Sequence, residues 1–193
     1  NRPELLTEAE ADLWNSGKIL SSSSNLVPYG GNVLKSRSVC YWKVRIWDEN
    51  DRMSEWSTTA GFSVGLLDNS EWNAQYIGLP GKENSTVSPQ LRQSFDVKNK
   101  GEKVFLHVNS LGYHEIYLNG EKVGNNVLTP AVSQFNIRSW VITYDISQLV
   151  KEGRNDVILW LGHGWYSKGL PGVVYDRPLV KAQAEQLSNG SWD

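Results

Sequence analysis

Residues 111–124 read LGYHEIYLNGEKVG, from Leu111 to Gly124. Tyr113 to Leu118 runs into Asn119-Gly120, the strongest short signal for a β-hairpin, because a type I′ turn needs positive φ at both central positions. Glu121-Lys122-Val123-Gly124 is then the return strand. Upstream, Val104, Leu106 and Val108 share one face of a strand and Phe105 and His107 the other, and Gln90 to Val97 alternates as well. Downstream, Thr143-Tyr144-Asp145-Ile146 leads through a short turn, Ser147 to Gly153, with Asp145 placed to cap it. Val157, Leu159 and Leu161 make the next strand, with Ile158 and Trp160 on its opposite face. The last residues, Leu187 to Asp193, read as one more hairpin. No sustained helical periodicity and no internal repeat occur.

A second β-rich region precedes this one, with a join near Gly65 to Ala74. Cys40, Trp42, Val44 and Ile46 alternate with Tyr41, Lys43, Arg45 and Trp47, which predicts a strand with one apolar face. Asp48-Glu49-Asn50-Asp51 turns the chain, and Ser54 to Val64 leads into a strand that ends at Gly65. Arg45 lies two residues before Trp47, and Trp56 follows across the turn. A guanidinium between two indoles is a surface stack of ~0.5–1 kcal/mol that needs no ligand.

Composition excludes several functions. The net charge is −2, so the chain has no basic field for nucleic acid or anionic lipid. No apolar run approaches the ~18 residues of a membrane span. The single cysteine, Cys40, cannot form an internal disulfide and reads as a buried thiol. Nine Trp, eight Tyr and 17 Gly suit a β-sandwich, and also suit proteins that stack sugars on aromatic rings. The chain starts at Asn1 without Met or a signal-like segment, so it reads as an excised piece whose cellular address cannot be read from it.

The chemistry-bearing patterns are sparse. His107, His114 and His163 lie far apart without Cys partners, and no metal spacing is matched. Gly162 and Gly164 lack the third glycine and the following helix of a dinucleotide loop, and no nucleophile elbow is present. Carboxylates sit mostly in turns (Asp48, Glu49, Asp51, Asp96, Glu102, Glu152), so no pair among them marks glycosidase chemistry. The two formal sequons, at Asn84 and Asn189, read as surface loops. The loop GHGWYSKGLPG, Gly162 to Gly172, combines an adjacent Trp and Tyr with four glycines. It is either a packed corner, with glycines letting backbone pass beneath the rings, or a platform for a flat ligand.

Two groups of motifs together resemble a known family. LWNSGKI (Leu13 to Ile19), YWKVRIWDENDRMSEWS (Tyr41 to Ser57) and GFSVGLL (Gly61 to Leu67) resemble the fibronectin type III-like domain at the start of bacterial α-L-rhamnosidases. LGYHEIYLNGEKVGNNVLTPAVSQF (Leu111 to Phe135) and ITYDISQLVKEGRNDVILWLGHGWY (Ile142 to Tyr166) are similar to the β-sandwich domain that follows it. The resemblance implies an all-β chain: a fibronectin type III-like sandwich over residues 1–65, truncated at its first strands, then a jelly-roll-like β-sandwich over residues 72–193. It implies the non-catalytic N-terminal part of a glycoside hydrolase that acts on terminal rhamnose. Such enzymes carry their acid and base carboxylates in an α/α barrel further along, so no catalytic residue and no hydrolase activity are expected here.

The expected partners are that barrel and, through the parent enzyme, rhamnose-containing glycans. Related sandwich domains bind rhamnose, and the matching positions are Asn119 at the hairpin, Trp140, and the loop with Trp165, Tyr166 and Pro171. Each has a plain alternative: Asn119 as a turn residue, Trp140 as core, Trp165 and Tyr166 as caps of the sandwich. Calcium can accompany such a site, but the hairpin neighbour Leu118 brings no carboxylate, so no metal and no cofactor are assigned. Two other readings stay open: the sugar-binding sandwich of a β-galactosidase-like enzyme, and a fibronectin-like protein-interaction module.

Overall fold

The computed structural model describes residues 3, 6, 11–23, 25–81, 87–99, 101–167 and 177–193. The chain divides into two compact units, Asn1–Leu67 and Asp68–Asp193. Both are β-structured, and the one α-helix among the described residues is the four-residue α1, Gly164–Ser167. No helix of the described residues is long and apolar enough to cross a membrane.

In the first unit, β1 (Val39–Trp42) pairs antiparallel with β2 (Ala60–Ser63) and places the buried Cys40 opposite Phe62. The alternation predicted a strand continuing through Ile46, but the regular ladder stops at Trp42. The residues Val44 to Ile46 span two steps, while their partners Ser54 to Ser57 span three. One residue is in excess, so the partner strand bulges. The serine side chains repair the ladder. Val44 N donates to Ser57 Oγ at 3.1 Å and Ile46 N to Ser54 Oγ at 3.0 Å. In return Ser57 N donates to Val44 O at 2.8 Å and Ser54 N to Ile46 O at 2.9 Å.

The expected stack forms and is longer than the sequence suggested. Arg45 lies 5.1 Å from the ring centroid of Trp47 and 4.5 Å from that of Trp56. Lys18 covers Trp47 at 5.4 Å, and Lys43 covers Trp56 at 4.9 Å. Cation and aromatic thus alternate through five side chains. At the hairpin tip Asp48 Oδ1 accepts from Asn50 N and Arg52 N, both at 2.9 Å. These backbone bonds, that of Arg52 first, hold the Asp48 carboxyl below its ordinary pKa.

The second unit begins with a 3-10 turn, Asn69–Glu71, closed by a capping box. Ser70 N donates to Asp68 Oδ1 at 2.7 Å, and Asp68 N donates to Glu71 Oε2 at 3.0 Å. Two antiparallel four-stranded sheets follow, ordered β10-β9-β4-β7 and β3-β8-β5-β6. Their strands are β3 (Gln90–Val97), β4 (Val104–Leu111), β5 (Tyr113–Leu118), β6 (Glu121–Lys122), β7 (Val141–Asp145), β8 (Gly153–Gly162), β9 (Leu179–Ser188) and β10 (Ser191–Trp192). The expected faces hold: Val104, Leu106 and Val108 of β4 meet Val157, Leu159 and Leu161 of β8 in one core with Ile116 and Ile146. Asn119-Gly120 and Asn189-Gly190 both adopt positive φ and close hairpins, as their type I′ chemistry requires. Asp145 accepts from Ser147 N at 3.1 Å and caps the single turn after β7.

The outer faces of the two sheets differ. On β4, Phe105, His107 and Asn109 point away from the core and are still buried. The segment that follows the 3-10 turn runs over them as a strap. Gln183 Oε1 accepts from Asn73 N at 2.7 Å, while its amide nitrogen donates to Glu71 O at 2.9 Å. Tyr76 OH donates to Asn109 Oδ1 at 2.6 Å, and Ile77 exchanges both backbone bonds with Val180. Lys181 lies 4.2 Å from the Trp72 ring, and the loss of water there lowers its pKa.

Candidate functional site

Strand register decides which of the candidate residues share a neighbourhood. Tyr113 of β5 is opposite Gly162 of β8, and Leu118 is opposite Val157. Asn119 therefore sits at one end of the sandwich and the loop after Gly162 at the other. Five residues of strand separate those ends by roughly 17 Å. Trp140 precedes β7, whose Val141 pairs with Asn109 near the Leu111–Tyr113 corner. That places Trp140 at the Trp165 end, and Asn119 is not brought together with either tryptophan.

At the shared end, Trp165 and Trp140 are each 54% exposed. Trp140 is fixed by its indole N–H, which donates to Val132 O at 3.2 Å. Tyr166 turns inward, 8% exposed, with its ring edge-on to Phe135 at 5.2 Å. The adjacent aromatics thus divide between surface and core, because neighbouring residues of a helical turn point about 100° apart. Pro171 and the rest of that loop lie outside the described residues. The glycines serve a third aromatic. A Cβ on Gly164 would come within 3.2 Å of the Tyr113 ring, and one on Gly162 within 3.4 Å of Tyr113 Cβ. Tyr113, six residues before the hairpin turn, is the ring beneath which this backbone passes.

Asn119 has φ of 52° and a fully engaged amide. Its Nδ2 donates to Asn155 Oδ1 at 2.8 Å, and its Oδ1 accepts from Asp156 N at 3.1 Å. Asn155 is 0% exposed and donates in turn to Lys151 O and Gly153 O at 2.7 and 2.8 Å. The pair ties the hairpin turn to the start of β8, a structural use of the amide. Sequence reasoning did not single out Asn155. Its signal was an asparagine at a core-facing register position of an otherwise apolar strand.

A second polar chain that the sequence did not reveal crosses the interior. Ser110 Oγ lies 2.6 Å from His114 Nδ1, and His114 Nε2 lies 2.8 Å from Tyr144 OH. Ser110 also donates to Gly112 O at 3.2 Å. Burial lowers the His114 pKa to about 4 and raises that of Tyr144 to about 12, so the imidazole is neutral at ordinary pH. A buried serine at a neutral histidine satisfies hydrogen bonds here and meets no solvent. On the strap side, His107 Nδ1 lies 2.9 Å from Thr143 Oγ1 and Nε2 lies 3.3 Å from Glu185 Oε2. Among the described residues no group of three His, Cys, Asp or Glu side chains is placed to hold a metal ion.

Comparison with known proteins follows the same two-part division. Residues 99–187 match the family described as alpha-L-rhamnosidase N-terminal domain. Residues 4–68 match the one described as Rha78A-like, N-terminal immunoglobulin domain. An alpha-L-rhamnosidase of Formosa agariphila is 35% identical over 174 residues, 86% of this chain and 19% of the relative. One from Alteromonas sp. (strain LOR) is 36% identical over 165 residues, 81% of this chain and 18% of the relative. Among solved structures, alpha-L-rhamnosidase from Dictyoglumus thermophilum superposes with a TM-score of 0.76 and 29% identity, covering 94% of this chain and 22% of that one. That of Aspergillus terreus gives 0.76 and 28%, covering 90% and 21%. The chain spans about a fifth of the length of these relatives. It belongs to the N-terminal region of the α-L-rhamnosidases, an immunoglobulin-like domain followed by the N-terminal β-sandwich domain of that family.

Proposed function

We propose that this chain is the non-catalytic N-terminal part of a glycoside hydrolase that releases terminal α-L-rhamnose, and that it buttresses the α/α catalytic barrel of that enzyme and engages sugar. The observation that carries the reading is the ordered match of both units to relatives named alpha-L-rhamnosidase, each about five times longer than the matched stretch. The exposed pair Trp140 and Trp165 at one end of the sandwich supports the sugar-binding part. Rhamnose offers a methyl group and an apolar ring face to such side chains. The amide of Asn119, held by Asn155 and Asp156, has no part in that end.

Two measurements test the reading. The chain alone should release no nitrophenol from a nitrophenyl α-L-rhamnoside, whereas activity that survives further purification would overturn the non-catalytic assignment. Rhamnose should quench tryptophan fluorescence with roughly millimolar affinity, about 4 kcal/mol. Trp165→Ala should remove that quench and leave the melting temperature within a few degrees, since its ring is half exposed. A stable Trp165→Ala that still binds rhamnose would exclude this end of the sandwich.

A further inference from the structure

One sheet of the sandwich has its outer face sealed by the strap, and the other has its outer face open. On the β3-β8-β5-β6 sheet, the side chains opposite the core come from Gln90, Arg92, Ser94 and Asp96 of β3, Arg154, Asp156, Ile158 and Trp160 of β8, and Tyr113, Glu115 and Tyr117 of β5. Register sets them in rows: Gln90, Trp160 and Glu115; then Arg92, Ile158 and Tyr117; then Ser94 and Asp156; then Asp96 and Arg154. Successive rows are about 7 Å apart. Trp160, two residues before the end of β8, is 43% exposed on a face where a sandwich needs no tryptophan. Gly162, next along that face, brings no side chain to cover it.

The polar side chains of this face hold one another in place. Arg92 Nη2 lies 3.0 Å from Asp156 Oδ2, Ser94 Oγ donates to Asp156 Oδ1 at 2.7 Å, and Arg154 Nη2 donates to Ser94 Oγ at 2.8 Å. Tyr117 OH donates to Glu115 Oε2 at 2.9 Å, and Lys122 pairs with the same carboxylate. Beside this network a groove of about 450 Å³ is lined by Arg92, Gln93, Ser94, Asp96 and Arg154. Each guanidinium carries five N–H donors, more than these contacts use.

We propose that this open face binds a neutral oligosaccharide, with Trp160 stacking on one sugar ring and the Arg92–Ser94–Arg154 groove holding hydroxyls of the next. Charge complementarity selects the ligand class. The face sets three cations, Arg92, Lys122 and Arg154, against three carboxylates, Asp96, Glu115 and Asp156, so its net charge is zero. A polyanion would meet the carboxylates. A folded protein partner fits poorly too, because interface centres are depleted of charge and this face is dense in it. A hydroxyl-rich neutral chain satisfies pre-placed donors and acceptors and gives its C–H faces to the ring. Trp160 lies one row, about 7 Å, from the Tyr113–Gly162 pair that leads into the Trp165 loop, and the remaining rows run away from that end along the sheet. The site goes beyond the accessory role proposed above.

The test is amide chemical-shift mapping of the whole chain, titrated with neutral di- and tetrasaccharides bearing terminal α-L-rhamnose and with methyl α-L-rhamnoside. The expected shifts fall on Gln90 to Asp96, Arg154 to Trp160 and Glu115 to Tyr117, and the tetrasaccharide binds at least about tenfold tighter than the monosaccharide. Trp160→Ala should weaken the tetrasaccharide at least about tenfold, Arg154→Gln less, and Trp165→Ala less than about twofold. Binding should hold constant between about 50 and about 500 mM salt. Shifts confined to Trp140, Trp165 and their neighbours outside those three segments would overturn the proposal and leave the accessory reading intact. So would shifts on neither surface with any of these sugars, or steep salt dependence with preference for heparin. If Trp160→Ala fails to fold, the wild-type map alone decides.

Discussion

In the first unit, a two-stranded sheet and the bulged hairpin beyond it leave Trp42, Val44, Ile46 and Phe62 exposed on the side that buries Cys40, and the hairpin carries the Lys18–Trp47–Arg45–Trp56–Lys43 stack. In the second unit, two four-stranded sheets close over Leu106, Ile116, Ile146 and Leu161. Both units are rich in alternating apolar residues and both bury something, Cys40 in one and a whole face of each sheet in the other. Period-two patterning thus selects a face without guaranteeing that the face is covered. Where a second sheet is present, alternation becomes a core. In the first unit, side-chain devices hold the hairpin: serine hydroxyls across a bulge, and indoles interleaved with cations.

Matched truncations should separate the two units most sharply. Leu106→Ala removes a side chain that is 2% exposed and should cost about 2–5 kcal/mol. Val44→Ala, on the exposed face of the first unit, should stay within about 0.5 kcal/mol. Urea unfolding followed by circular dichroism measures both, and comparable losses would break the comparison.

Acid should act next, and on the second unit. The folded pKa of His114, about 4, lies below its ordinary 6.5. Between those values the unfolded chain binds more protons, so stability is complete above about pH 6.5, falls as pH drops toward 4, and then levels. The loss should reach about 3 kcal/mol. Unfolding midpoints at stepped pH should show this slope, and His114→Gln should flatten it. An unchanged slope in that variant would place the acid sensitivity elsewhere.

The smallest effect belongs to the stack. Arg45→Ala breaks it at its centre, between Trp47 and Trp56, and should cost about 1 kcal/mol, since exposed cation–π contacts are worth ~0.5–1 kcal/mol apiece. Arg45→Lys should restore only part of that, because an ammonium cannot lie flat between two rings. A loss as large as that of Leu106→Ala would mean that the stack, rather than residual packing, organises the first unit.

What could be read from the sequence followed from local chemistry. Asn119-Gly120 and Asn189-Gly190 announced their hairpins, Asp145 its cap, and the spacing of Arg45, Trp47 and Trp56 its stack. Contacts between distant segments left no such trace. Nothing in Gln183 shows that its amide clamps Asn73, 110 residues away. Asn119 looked available because a turn residue shows only its backbone demand, while its side chain is taken by Asn155. Trp165 and Tyr166 read as a pair until one helical turn sent them to different surroundings. Trp160 was legible as an outward residue, but the rows beside it require the register of β3 and β5.

Native-state hydrogen exchange of the whole chain tests the contrast most directly, because it reads each amide of both units in one sample. Amides of β4, β5 and β8 should exchange only through global opening of the second unit. Those of β1, β2, Val44 and Ile46 should exchange at least about a hundredfold faster. Equal protection of β1 and β8 would contradict it, and would mean that the first unit holds a stability its exposed apolar face does not explain.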